Sequence, residues 1–113
     1  MAADATGRLS EIERRFDFDE RERVLDYLDR HPHLLPLLVD VADQIPCYFR
    51  PDDRALMQLI EDEDIGVEQL YAIVRSGLDP DEVEARLNRL DEEWWLDAVE
   101  RADGDLTVDA QGR

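Results

Sequence analysis

The clearest hydrophobic pattern in the chain lies between Leu78 and Ala102 and predicts an amphipathic helix. Asp79 suits the N-cap position, Pro80 the first helical position, and Glu82 could complete a capping box. Apolar residues then recur at steps of four, three, four and four, which places them on one helical face. They are Val83, Leu87, Leu90, Trp94 and Ala98. A second row, formed by Trp95, Val99 and Ala102, widens this face toward its C-terminal end.

Three helices are predicted before this one. Ser10 and Glu13 have the spacing of a capping box, which predicts that a short first helix begins there. A second helix is predicted from about Asp19 to Arg30, where Pro32 biases the preceding residue away from helical geometry. The third, from about residue 33 to 45, has its own apolar stripe. This stripe consists of Leu34, Leu38, Val41 and Ile45.

Two prolines mark the limits of the third predicted helix. Pro36 is tolerated because it falls in the first turn, where backbone N–H groups have no intrahelical partner. Pro46 is expected to end the helix. We also expect Cys47 to be a packed thiol in the connection that follows.

The pattern changes after residue 54. The runs Ala55–Ile60 and Val67–Val74 flank an acidic segment and predict a β-hairpin, although a short apolar run also fits a helix. Gly66 suits a positive φ near the turn. Apolar residues fall on both faces of the second strand, so each face has apolar side chains that can be buried. Leu106–Val108 predicts a short final strand.

These elements predict an α+β fold with N-terminal helices followed by a β-hairpin, a long amphipathic helix and a third short strand. A helix between the second and third strands can cover one face of a small sheet. The length of 113 residues suits a single domain. We place this domain at residues 9–109, with disordered tails at 1–8 and 110–113.

Composition places the protein among folded, water-soluble proteins. It is 43% hydrophobic and 38% charged, and no run approaches the roughly 18 apolar residues of a membrane span. The first residues lack the apolar segment of a signal peptide, so we expect a cytoplasmic protein. Cys47 is the only cysteine, so an internal disulfide is impossible, which fits a reducing compartment.

The acidity is the most unusual property of the composition. The chain has 30 acidic residues against 13 basic ones, all arginine, and a net charge of −17. High-GC genomes prefer arginine, and adaptation to high salt adds acidic residues to every surface. We favour these genome-wide causes of the acidity over a functional one, because the charge is spread along the chain. The alternative is an acidic face that binds a basic partner or mimics nucleic acid. Residues 55–113 have 17 acids and 5 arginines, whereas residues 1–54 have 13 and 8.

Three segments resemble a family of small bacterial proteins, common in cyanobacteria, for which we know no activity. His31–Leu38 matches an N-P-F-L-I-P-L-L pattern, Leu78–Val83 matches L-S-P-E-E-A, and Asp91–Asp97 is identical to D-E-E-W-W-L-D. The chain departs from the family at His33, and at Glu63 where its D-P-E turn has proline. The resemblance covers roughly residues 22–108 and implies the hairpin, but no function.

No catalytic, cofactor or metal site is predicted. In the segment Glu61–Gly66, counted from Asp62, glycine falls at the fifth position and Ile73 at the twelfth, so the EF-hand pattern fails and a solvated turn is expected. His31 and His33 could bind a metal with Cys47, but no fourth ligand has a recognisable spacing. The sequence contains no glycine-rich phosphate loop and no hydrolase or metalloprotease motif.

The function that the sequence favours is a small non-catalytic protein-binding module: a regulator, an adaptor or an antitoxin-like inhibitor. Trp95 lies at the edge of the helical stripe, as a second core anchor or as an exposed hot spot with an acidic rim. The candidate partner-binding residues are Trp95, Glu92, Glu93, Asp97 and Glu100. The expected partner is another protein with a basic surface. Direct nucleic-acid or membrane binding is not expected, because no basic stripe or apolar span exists. The alternatives are a DNA-mimicking inhibitor and an enzyme with an unrecognised site.

Salt dependence separates the two origins of the acidity. If it is an adaptation to high salt, the protein folds only in molar salt, because unscreened carboxylates repel one another. Circular dichroism at low and molar potassium chloride measures this. A cooperative fold at low salt would instead favour a functional acidic surface.

Overall fold

The protein folds as a four-stranded sheet with helices packed against one face. The structure is a computed structural model that describes the backbone of residues 2–113 and the side chains of residues 7–113. Met1 lies outside the described residues. The elements are α1 (Ala2–Arg15), β1 (Asp17–Phe18), α2 (Arg21–Arg30), α3 (Leu34–Tyr48), β2 (Arg54–Asp62), β3 (Val67–Arg75), α4 (Pro80–Leu90), a π-helical turn (Asp91–Trp95), α5 (Leu96–Ala98), a 3₁₀ turn (Val99–Ala102) and β4 (Leu106–Gln111). The predicted α+β class and order are confirmed.

The sheet has the strand order β1-β2-β3-β4. β2 and β3 form the predicted hairpin through nine antiparallel pairs, from Arg54↔Arg75 to Asp62↔Val67. Gly66 has the expected positive φ of 68°, and its N–H donates to the Asp62 carbonyl at 2.7 Å. β1 and β4 pair in parallel with β2 and β3 and form the two edges.

Only one face of the sheet contributes to the main core. The buried residues on this inner face pack with apolar residues from α1, α2, α3 and α4. They are Ala55, Met57, Leu59, Leu70, Ala72, Val74, Leu106 and Val108. On the outer face, most apolar side chains are half-buried or exposed, and Ile73 is buried without joining this core. The sheet therefore separates a helix-covered face from one that is largely open to solvent.

The N-terminal helix begins earlier than predicted. α1 starts at Ala2 and continues through Ser10, so Ser10 is not a helix start, and α1 includes residues that we had assigned to a disordered tail. Alanine has the highest intrinsic helix propensity, and three alanines in the first five residues favour this early start.

The strand β1 was not predicted. Asp17 and Phe18 pair with Leu56 and Met57, and the N–H of Asp19 donates to the Met57 carbonyl at 2.9 Å. A strand of two residues is too short to show an alternating pattern, so the sequence gives no signal for it.

We had predicted that Pro46 ends the third helix, but the helix continues past it. α3 continues to Tyr48, and the N–H of Phe49 donates to the Ile45 carbonyl at 2.8 Å. A proline removes only one helical hydrogen bond, and near the C-terminal end the following turn can still form. Cys47 consequently lies in the last turn of α3 and is exposed, so the prediction of a packed thiol is wrong.

The C-terminal strand is longer than predicted. β4 includes Ala110 and Gln111, which we had placed in a disordered tail. Both residues pair with β3, and the N–H of Ser76 donates to the Gln111 carbonyl at 3.0 Å. The N–H of Arg113 also donates to the Leu78 carbonyl, which joins the chain end to the start of α4.

The long helix after Asp79 has the predicted start but not the predicted regularity. Asp79 is the N-cap of α4, although its side chain forms no capping hydrogen bond and pairs instead with Arg113 at 3.2 Å. After Leu90 the helix widens into the π-helical turn. A π turn contains one extra residue, so the buried stripe steps five residues, from Leu90 to Trp95.

This extra residue changes which of the two tryptophans anchors the core. Trp95 belongs to the core and is 7% exposed, whereas Trp94, which we had placed in the core, is half-buried at its margin. The buried stripe continues from Trp95 with Ala98 and Ala102. A regular helix would have kept Trp94 on the stripe.

We expect Trp95→Ala to lower the free energy of unfolding by about 3–5 kcal/mol, because it leaves a large cavity in the core. Trp94→Ala is the matched control and should lower it by less than half as much. Urea denaturation followed by circular dichroism measures both variants. Equal losses, or a larger loss for Trp94→Ala, would contradict the register that the π turn imposes.

Candidate functional site

The predicted partner-binding residues do not form a site around Trp95, because the side chain of Trp95 points into the core. The structure therefore favours the core interpretation of this residue over the hot spot. The four acidic residues around it are exposed; they are Glu92, Glu93, Asp97 and Glu100. Glu93 is already engaged, since its carboxylate accepts hydrogen bonds from Tyr48 and Arg89 at 3.2 and 3.4 Å.

Exposed apolar residues occur instead at the hairpin end of the outer face. Ile65 is 69% exposed, Val67 52%, Ile60 44% and Val99 37%. With Tyr71 they line a shallow groove of about 680 Å³. We call this set of five residues the outer-face patch. Its floor also includes Gln69, Leu106 and Thr107. Contiguous exposed apolar surface of this kind is a common mark of an interaction site.

The strand register explains how the sequence builds this patch. Side chains alternate between faces along a strand, so the buried residues Leu59 and Leu70 leave Ile60 and Tyr71 on the outer face. Ile65 lies in the turn, and Val99 lies in the 3₁₀ turn after α5. The sequence did show apolar residues on both faces of β3. The contribution of Val99 depends on the helix register and could not be recognised before the structure.

Carboxylates lie at the hairpin end of the patch. Asp62 lines the groove, and its Oδ1 accepts the N–H of Asp64 at 3.0 Å. Glu61, Asp62, Glu63 and Asp64 are all exposed in and beside the hairpin turn. No arginine is among the described residues that line the groove. The outer-face patch is therefore an apolar surface in a negative environment.

A buried polar cluster joins the start of β2 to the end of β3. Asp53 is buried, and its carboxylate accepts hydrogen bonds from the Ser76 hydroxyl at 2.8 Å and from the Arg50 N–H at 3.0 Å. Burial by itself would raise the pKa of Asp53, but the hydrogen bonds from Ser76 and Arg50 outweigh it and lower the pKa below its ordinary value of 3.8. A carboxylate held ionised in this way suits a structural link.

The two histidines lie near the start of β4. His33 Nε2 is 3.0 Å from an Asp105 carboxylate oxygen, and His31 Nδ1 is 2.8 Å from the Tyr27 carbonyl. The Tyr27 hydroxyl donates to the Asp105 carbonyl at 3.0 Å, and burial raises the pKa of Tyr27 to about 12. These contacts fasten α2 and the α2–α3 connection to the segment before β4.

The structure does not assemble the metal site that we had considered from the two histidines and Cys47. The thiol of Cys47 faces the Asp43 carbonyl one helical turn earlier in α3, at 3.7 Å. Among the described residues, no group of three histidine, cysteine, aspartate or glutamate side chains is arranged to hold a metal ion.

The chain matches no family model, no curated protein and no solved structure. The resemblance to the cyanobacterial family therefore stays a prediction. In the part of the chain that the structure describes, no helix combines the length and apolarity needed to cross a membrane.

The link at Asp53 predicts a pH-dependent loss of stability. Asp53→Asn should lower the free energy of unfolding at pH 7 by about 1–3 kcal/mol, because it weakens charge-assisted hydrogen bonds to a buried group. Because the pKa is lower in the folded state, this contribution is present above the ordinary value of 3.8 and is lost as the pH falls through the folded value.

Urea denaturation of Asp53→Asn and the wild type at pH 7 and in acid checks this prediction, with the exposed neighbour Asp52→Asn as control. The difference between wild type and Asp53→Asn should shrink in acid, and the control should show little effect at either pH. A difference that is independent of pH would show that the charge of Asp53 does not stabilise the fold.

Proposed function

We propose that this protein is a non-catalytic protein-binding module that docks a partner on the outer-face patch. The observation that carries the proposal is the group of exposed aliphatic residues around the groove at the hairpin end of the sheet. Exposed surface of this kind is energetically unfavourable in water, and a partner that covers it recovers about 25 cal/mol per Å² of apolar area. A small regulator, adaptor or antitoxin-like inhibitor fits such a surface.

The carboxylates at the hairpin end of the patch suggest the partner's chemistry. An apolar centre with a negative rim is complementary to an apolar surface surrounded by lysine or arginine. A second copy of this chain is a poor occupant, because each copy has a net charge of −17 and the same acidic rim. We therefore propose a different protein with a basic surface. Of the predicted contact residues, Glu100 is exposed and follows Val99 directly in the sequence.

The proposal predicts that Ile65→Ser combined with Val67→Ser weakens partner binding by about thirtyfold, equivalent to about 2 kcal/mol. Both side chains are exposed, so the free energy of unfolding should change by less than about 1 kcal/mol. Immobilised wild type captures the partner from a native lysate, mass spectrometry identifies it, and calorimetry with the purified partner measures the affinities.

Leu96→Ser is the matched control, because Leu96 is also exposed and apolar but lies outside the groove, among the acidic residues first predicted to bind. This variant should bind the partner as the wild type does, and added salt should weaken both. Unchanged binding by the double variant would refute the outer-face patch as the docking surface. Loss of binding by Leu96→Ser alone would move the contact to the acidic helix.

A further inference from the structure

β4 is an edge strand whose outer side has backbone groups available for pairing. The Gln111 carbonyl accepts the N–H of Ser76, which places it on the β3 side. Because the N–H and C=O groups of successive residues in a strand point to opposite sides, those of Val108 and Ala110 point away from β3. As this direction requires, the N–H of Ala110 donates to Asp109 Oδ1 at 2.8 Å and not to β3.

A groove runs beside this edge, between β4 and α4. It has a volume of about 600 Å³. Val83, Leu87 and Ala110 form its apolar part, and Glu84 and Asn88 form a polar wall on α4. A segment that pairs with the edge would place alternate side chains in this groove and the others toward the outer face. The edge therefore offers both backbone partners and space for side chains.

The surroundings of the groove are acidic. Glu84, Asn88 and Asp91 follow one another at steps of four and three, which places them on the same side of the helix. Burial and the nearby charges of Asp109 and Glu92 raise the pKa of Asp91. Among the described residues, no arginine forms an ion pair with Glu84, Asp91 or Asp109. A cation placed here would relieve this repulsion.

We propose that the free edge of β4 binds an extended segment of another protein that carries lysine or arginine, which adds to the sheet as a fifth strand beside α4. Backbone hydrogen bonds to an edge strand supply affinity in this mode of recognition, and pockets for alternate side chains supply specificity. The acidic groove selects basic side chains. A second copy would bring its own Glu84, Asp91 and Asp109 to the same edge and be repelled.

Asp109 disfavours the pairing of non-basic segments with this edge. Its carboxylate occupies the N–H of Ala110, which is the group that an added strand needs. An acidic or neutral segment that displaces this carboxylate forms no ion pair with it in return. A basic segment pairs with the carboxylate as it takes over the N–H, so the displacement is compensated only for a cationic partner. The groove between β4 and α4 and the groove at the outer-face patch have no lining residue in common, so each can be tested separately.

The test uses a synthetic decapeptide of alternating lysine and valine, labelled for fluorescence anisotropy, with the full chain. Two control peptides separate charge from strand pairing: the same sequence with alternate backbone nitrogens methylated, and an alternating glutamate and valine peptide. We expect both controls to bind at least about tenfold more weakly than the lysine peptide.

On the protein side, Ala110→Pro removes the outward N–H without removing one that faces β3, and it should weaken binding about tenfold. Ala110→Ser keeps the N–H and should bind as the wild type does. Circular dichroism shows whether the proline variant is folded. If it is not, the methylated peptide still decides whether backbone pairing occurs.

Equal binding of the methylated and unmethylated lysine peptides would overturn the proposal in favour of charge attraction alone. Self-association of the wild type that Ala110→Pro abolishes would assign the edge to a second copy and also overturn it. The double variant Ile65→Ser and Val67→Ser should keep the wild-type affinity for the lysine peptide. If it does not, the peptide lies on the outer-face patch, and the edge proposal fails while the proposed function stands.

Discussion

The pairing of β2 with β3 is the interaction on which the rest of the structure depends. Its register decides which side chains of both strands meet the helices, because a shift of one residue would exchange the two faces. In the observed register, Met57 and Ala72 lie opposite each other on the inner face, while Leu56 and Ile73 lie opposite each other on the outer face. The helices α1 to α5 all contribute to the core on the inner face, whereas most apolar side chains of the outer face are half-buried or exposed. The apolar surface near the hairpin turn is a direct consequence of that one-sided packing.

The fold was predictable where a pattern extends over many residues. The hairpin alternates over two nine-residue strands, and Gly66 identifies the turn, so class and order followed from the sequence. The failures are local. Pro46 lies so close to the end of α3 that the remaining turn forms despite the missing N–H. The strand β1 consists of only two residues and is stabilised by contact with β2, which no local pattern records.

The candidate site was less predictable than the fold, and the tryptophan pair shows why. Helical periodicity assumes a constant angle per residue, and it assigned Trp94 to the core. The π turn adds one residue, which moves Trp95 into the core and carries Val99 to the margin of the outer-face patch. A widened turn is selected by how the whole helix fits against the sheet. The sequence of the helix alone contains no sign of it, so the interpretation of the two tryptophans changed, whereas Ala98 and Ala102 are buried as the apolar face predicted.

The negative charge then bears on what each of the open surfaces can bind. Apolar groups at the hairpin and free backbone groups at β4 would each permit self-association, which is the usual hazard of an exposed face or edge. Asp62 at the patch and Asp109 at the edge place a carboxylate at each surface, so two copies meet with like charges. A basic partner would be attracted by the same carboxylates, and this attraction would also accelerate its association. A single property, acidity beside uncovered apolar or backbone groups, thus disfavours self-association and would favour the basic partner that we propose. The strength of both effects falls with salt, because the charges involved are exposed.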